Sequence, residues 1–429
     1  MTFRLAPIAP VLLGVIFAQA ALGVMTPLIP LLLLRFGVSD TLIGIVASAY
    51  FVGFLGGALT ADRIVARVGH IRAFAVFAAA AADAALLMVF AHAAWEMALL
   101  RLLIGYACSG MFLVAESWLN DRADAASRGR TFAAYLVASW GASAAGPLAL
   151  NVVVASPLMF VLVGVAFAAA VLPMALTVQA NPQVRARAHM SLSELYRVSP
   201  VGVACAVASG VINSSYYSLA PVYLRDLGFG PRSVAAFASV AMVAALLVQV
   251  PVGALSDRLG RRPVTLATLA VGFVAAVAIL AAGHPPFLLL AAMGFVFAGA
   301  TAPLYGLGAG QTNDRMERGD YVAASGALLF AWSLGSSCGP LAGGVAMQAM
   351  GPSGLFAMLL AVLGAVGLFT GVRMLQRGEV PLEQRSSFVP APAAPVRSPE
   401  LAGRVARALR HPLAAAPTWR SLLHWPAGR

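Results

Sequence analysis

The chain has 429 residues, 61% of them hydrophobic and only 10% charged, with a mean hydropathy of +0.87. Soluble domains carry about 25% charged residues, so this deficit excludes an ordinary water-soluble fold and points to the bilayer. The net charge of +12 comes from 28 basic residues, every one an arginine. Up to residue 372 all but Arg101 flank the apolar blocks rather than form a basic stripe, which argues against nucleic acid as a partner.

The apolar blocks are about 20 residues or longer, enough to cross about 30 Å of hydrocarbon at about 1.5 Å per residue. In chain order they predict spans at 9–34, 41–61, 73–92, 96–119, 131–152, 157–178, 200–224, 232–256, 264–283, 287–311, 322–348 and 354–373. Arg4 and the run to Ala20 mimic a secretory signal, but the apolar stretch continues to Leu34 and reads as an uncleaved first span. An even number of crossings puts both termini on one side. With the N-terminus inside, 15 arginines up to residue 372 are cytoplasmic, and only Arg35, Arg225 and Arg232 lie in outer loops. That bias orients the chain, with both termini cytoplasmic in a bacterial inner membrane.

The two parts of the chain repeat each other. Asn120-Asp121-Arg122 recurs as Asn313-Asp314-Arg315, and Gly146-Pro147-Leu148-Ala149 as Gly339-Pro340-Leu341-Ala342, both at an offset of 193. Two six-helix bundles are therefore expected, at 1–178 and 200–375, joined by a polar cytoplasmic linker at 179–199. The Pro-, Ala- and Arg-rich segment 376–429 reads as a largely disordered cytoplasmic tail, with a short helix at 398–410 able to lie on the anionic leaflet.

Between spans 8 and 9 stands Gly253-Ala254-Leu255-Ser256-Asp257-Arg258-Leu259-Gly260-Arg261-Arg262. It resembles the cytoplasmic-loop signature of the major facilitator superfamily, and the resemblance to that superfamily extends over about residues 8–375. What it implies is an all-α membrane protein of twelve helices in two pseudo-symmetric bundles, working by alternating access, with this loop latching the inner gate. The first-half copy keeps Gly57, Asp62, Arg63, Gly69, His70 and Arg72 but has four extra residues between Arg63 and Gly69. Glu116 and Arg130, near Asp121 and Arg122, are assigned to the same gate network.

Span 11 carries Gly326, Gly335, Gly339, Pro340, Gly343 and Gly344 at a spacing that resembles the superfamily's antiporter signature. In the antiporter branches that signature lies on span 5, so here it occupies the repeat partner of the usual helix, and close helix packing accounts for it equally well. Arg101, with Gly105 and Gly110, resembles a pattern tied to proton coupling. Asp83 on span 3 lies at a similar depth, so the two read as either a coupling site or a buried ion pair.

The same resemblance makes spans 1, 4, 7 and 10 the cavity lining. Gln19, Tyr106, Asn213, Ser214, Tyr216, Tyr217, Gln249, Tyr305 and Trp332 are the polar and aromatic candidates there, with Asn213–Tyr217 the densest uncharged polar run. Cys108, Cys205 and Cys338 read as small buried residues. No phosphate-binding loop, metal spacing or catalytic constellation is present, so neither a cofactor nor enzymatic activity is expected. The expected function is secondary transport of a small molecule by a monomer, with proton-coupled efflux of amphipathic compounds favoured. The alternatives are uptake of a small organic anion held by Arg101 and, in another class, a transporter-derived sensor.

Overall fold

The computed structural model describes residues 8–122, 128–151, 156–177, 190–316 and 320–376, and among them every regular element is helical. The tail beyond residue 376, including 398–410, and the first part of the linker lie outside the described residues. In the first half run α1 (Ala9–Arg35), α2 (Asp40–Val68), α3 (His70–Leu87), α4 (Ala94–Arg122), α5 (Arg128–Ala145) and α6 (Met159–Ala175). A short α7 (Leu192–Val198) precedes α8 (Pro200–Asp226), α9 (Pro231–Leu259), α10 (Arg261–Ala282), α11 (Phe287–Thr301), α12 (Leu304–Asn313), α13 (Tyr321–Met350) and α14 (Gly354–Gln376).

Ten of these segments are long and apolar enough to span a bilayer. Two more crossings fall short for definite reasons: α6 has only 17 residues, and the 27 residues of α8 include the polar run at Asn213–Tyr217. The helices break where the sequence removes a donor or supplies a turn. Pro303 separates α11 from α12, so the single span expected at 287–311 is two helices. At Gly146-Pro147, α5 gives way to a 3₁₀ turn, whereas the repeat partner Pro340 lies inside a continuous α13. The linker also holds structure, since Ser191 and Glu194 form a capping box that starts α7. The Glu194 carboxyl is held below its usual range by the backbone and hydroxyl of Ser191.

The repeat is visible in the packing. In the first half α2 packs on α4, α1 on α5, and α3 on α6; in the second half α9 packs on α11, α8 on α13, and α10 on α14. Between halves, α2 meets α13 and α5 meets α9. This seam contains the Leu341 amide donating to Ser48 Oγ at 3.1 Å and Ser239 Oγ donating to the Ala144 carbonyl at 2.7 Å. It is tight because glycine lies on both sides: a Cβ at Gly44 would overlap the Pro340 carbonyl, and one at Gly344 the Asp40 carbonyl. Gly344→Val is therefore expected to loosen the seam. In a Cys338→Ser background, Ser48→Cys should then react faster with an impermeant maleimide.

Candidate functional site

Where the two halves meet, a cavity of about 130 Å³ opens between α1, α2, α4 and α5 on one side and α8, α9, α13 and the α11–α12 break on the other. The first-half wall carries Gln19, Tyr50, Phe51, Arg101, Trp140 and Ser143. The second-half wall carries Ser209, Asn213, Ser214, Tyr217, Tyr305 and Trp332. Phe51 and Trp332 touch across the interface, with ring centroids 6.1 Å apart. Arg101 is the only charged residue among those lining it.

Arg101 reaches this place because α2 and α4 pack with almost no space between their backbones. A Cβ at Gly53 would overlap the Leu102 carbonyl, and one at Gly105 the Tyr50 carbonyl. Gly105, four residues after Arg101, is thus the reason the arginine lies against Tyr50, whose ring centroid is 4.7 Å from the guanidinium carbon. The side chain is 6% exposed, and its Nε and Nη1 have no hydrogen-bond partner among the described residues. A cation–π contact satisfies neither donor, so the site holds an uncompensated charge directed at a cavity.

Of the two readings of Arg101 and Asp83, the buried ion pair is not formed. Asp83 is exposed, flanked on α3 by buried Ala81, Ala82, Ala84 and Ala85, so it points away from the bundle. Spacing gives position along a helix; it does not give rotation about the helix axis. Three cavity candidates also have other surroundings. Tyr106 accepts from Thr60 Oγ1 at 3.1 Å and packs on Phe77. Tyr216, 1% exposed, donates to the Gly294 carbonyl and stacks with Phe297 inside the second half. Gln249 is buried and donates to the Ala245 carbonyl of its own helix. Tyr50, Phe51 and Ser143 were missed, because nothing in the sequence shows which face of α2 or α5 turns inward. Cys338 is exposed rather than buried.

The loop signature closes into a compact network. Gly260 caps α9 at φ 108°, a conformation that only glycine adopts without strain, and so sends Arg261 back into the bundle. Arg261, 2% exposed, donates from Nε to Asp314 at 2.9 Å and from Nη1 to Ser256 at 3.2 Å, and pairs with Asp257 at 3.2 Å. Gly253 is buried beneath this network and Arg258 is exposed. In the first half Gly69 plays the capping part at φ 82°, so the residue standing where Arg261 stands is His70. It is 2% exposed and lies within electrostatic reach of Asp121, the repeat partner of Asp314. α2 and α9 are both 29 residues long and each ends on its glycine, so the four extra residues leave the cap in place.

Asp62 accepts from the Arg63 amide at 3.0 Å, and Arg63 itself is exposed. Glu116 is 7% exposed and within electrostatic reach of Tyr135 on α5. The Arg130 side chain lies outside the described residues. On α13, a Cβ at Gly335 would overlap the Val207 carbonyl, one at Gly339 would crowd the Val211 carbonyl and Ser214, and one at Gly343 would crowd Leu219. These glycines let α8 approach, while Gly326 faces open space.

Ten apolar spans among the described residues, packed in two repeated halves around a central cavity, define a polytopic membrane protein of transporter architecture. A sequence model of the Major Facilitator Superfamily matches residues 11–247 and 201–426, and the chain belongs to that superfamily. It is 30% identical over 366 residues to the uncharacterised MFS-type transporter YcaD of Salmonella enteritidis, covering 83% of this chain and 93% of the relative. A YcaD protein of Shigella flexneri is also 30% identical over 366 residues, with the same coverage. Among solved structures, a mutant of the nucleoside transporter NupG matches with TM-score 0.73 at 13% identity, over 85% of this chain and 99% of that one. A bacterial homologue of the human lysosomal transporter Spinster, inward-facing and unoccupied, matches with TM-score 0.71 at 15% identity, over 90% of this chain and 99% of that one. These two likenesses concern the fold alone.

Proposed function

We propose that the protein moves a small amphipathic organic anion across the bacterial inner membrane by alternating access, as a monomer with both termini cytoplasmic. The observation that carries this reading is Arg101: a buried cation with two unpartnered donors on the wall of a cavity that has no carboxylate among its lining residues. Burying such a charge is unfavourable unless a counter-ion completes it, and the substrate is the group free to do so.

From sequence, proton-coupled efflux of amphipathic compounds was favoured over anion uptake. Asp83 no longer supports a coupling pair with Arg101, and three of the glycines of α13 serve the approach of α8, so the weight passes to the anion. The Ser48–Leu341 seam lies on the side that the arginine bias makes external, which supports an inward-facing state.

The test is uptake by proteoliposomes, screened with organic anions, neutral amphiphiles and cationic amphiphiles, with and without a pH gradient. Saturable anion transport is expected. Arg101→Gln should reduce it by at least about thirtyfold, the effect of about 2 kcal/mol lost from a buried charge pair. Arg101→Lys should retain part of it. Transport of cationic amphiphiles that survives Arg101→Gln would overturn the reading, and indifference to the gradient would remove protons from the cycle.

A further inference from the structure

The hydrogen-bonding capacity of the cavity is unevenly filled, and what is missing describes a ligand. On the first-half wall Ser143 Oγ donates to Gln19 Oε1 at 3.2 Å, which leaves Gln19 Nε2 without a partner among the described residues. Gln19 is 3% exposed, and it lines the cavity with Arg101. On the second-half wall the Tyr217 hydroxyl is also unpartnered, next to Asn213, whose Nδ2 donates to Ser209 at 3.0 Å. Each of these orphan groups can donate. A buried donor left unsatisfied is unfavourable by more than a typical net hydrogen bond stabilises, so the wall is complementary to a molecule rich in acceptors.

The rest of the wall sets the other limits. Phe51, Trp140, Tyr305 and Trp332 give apolar and aromatic surface around the polar groups. With one cation, the wall neutralises one negative charge. With no carboxylate among the lining residues, an ammonium group would have no counter-ion and would be repelled by Arg101.

Building on the anion reading above, we infer that the substrate class is a monocarboxylate with an apolar or aromatic body, a second hydrogen-bond acceptor and no cationic group. The carboxylate sits on Arg101, in the first half, and the second acceptor takes the Tyr217 hydroxyl, in the second half. Such a molecule bridges the two bundles, so its polar ends report on their closure. Free amino acids and dicarboxylates of the same size are discriminated against, the first by the unmatched ammonium and the second by the unmatched carboxylate.

Because Trp140 and Trp332 line the cavity, quenching of tryptophan fluorescence in the purified full-length protein reports binding directly. The probes are phenylpyruvate, 3-phenylpropionate, phenylalanine, phenylsuccinate and 3-phenylpropionamide. Phenylpyruvate is expected to bind about fivefold tighter than 3-phenylpropionate, the effect of one net hydrogen bond. Phenylalanine and phenylsuccinate should bind more than about tenfold weaker than phenylpyruvate. Tyr217→Phe should erase the preference for phenylpyruvate and leave 3-phenylpropionate unchanged. Equal binding of phenylalanine or phenylsuccinate, or a preference that survives Tyr217→Phe, overturns this inference while leaving an anion transporter in place. A protein that ignores every carboxylate but binds 3-phenylpropionamide overturns the anion reading itself, and this inference with it.

Discussion

Arg261→Gln is expected to lower the stability of the protein by about 3–5 kcal/mol, the range seen when one partner of a buried ion pair is removed. The native guanidinium joins Asp257, on α9, to Asp314, at the C-terminal end of α12, with both carboxylate side chains only 4% exposed. Glutamine spans less distance and carries no charge, so two buried carboxylates would lose the counter-charge they share. The loss should appear as an earlier thermal midpoint in detergent. It should be partly recovered when Asp257→Asn and Asp314→Asn are added, since the neutral amides no longer need a cation. An unchanged midpoint in Arg261→Gln would mean that the network stabilises only another conformation in the transport cycle. The corresponding change in the first half, His70→Gln, is expected to be milder, because a histidine contributes less permanent charge there.

Gly105→Val should be the most damaging substitution in the first half. The Cβ of any residue at this position falls on the Tyr50 carbonyl, and valine adds two methyl groups in the same direction. Overpacking of a tight core is unfavourable by about 1–3 kcal/mol or more, and here the obstacle is backbone, which cannot rotate away. If α2 moves off α4, the stacking of Arg101 on Tyr50 is lost along with the close Gly53–Leu102 contact. The expected result is lower yield of folded protein and loss of anion binding in whatever fraction folds. Gly141→Val provides the control, because a Cβ there meets nothing within 4 Å. Near-normal behaviour of Gly105→Val would show that the α2–α4 approach is not required.

Much of the architecture was legible in advance, and for one reason. A bilayer forces every spanning segment to be long, apolar and internally hydrogen-bonded, so length and composition suffice to place it. The internal repeat adds the pairing of halves. The exceptions follow from residues whose effect depends on surroundings. Pro303 divides a helix while Pro340 does not, and α8 is less apolar than its neighbours because its polar run serves the cavity.

The site was only half legible. Gln19, Asn213, Ser214, Tyr217, Tyr305 and Trp332 lie on the cavity wall, whereas Tyr106, Tyr216 and Gln249 do not, although all nine looked alike as polar or aromatic residues on the lining spans. Sequence determines the depth of a residue in the membrane, because rise per residue is nearly constant. It leaves open which way the side chain faces, because that depends on how each helix is rotated against its neighbours. That rotation turned Asp83 outward, aimed Arg101 inward through the Gly53–Gly105 contact, and placed His70 where the other half has Arg261. The membrane's demand for satisfied backbone determined long apolar helices in two repeated halves. Side-chain packing between particular helices decided which of their polar groups face one another across the cavity.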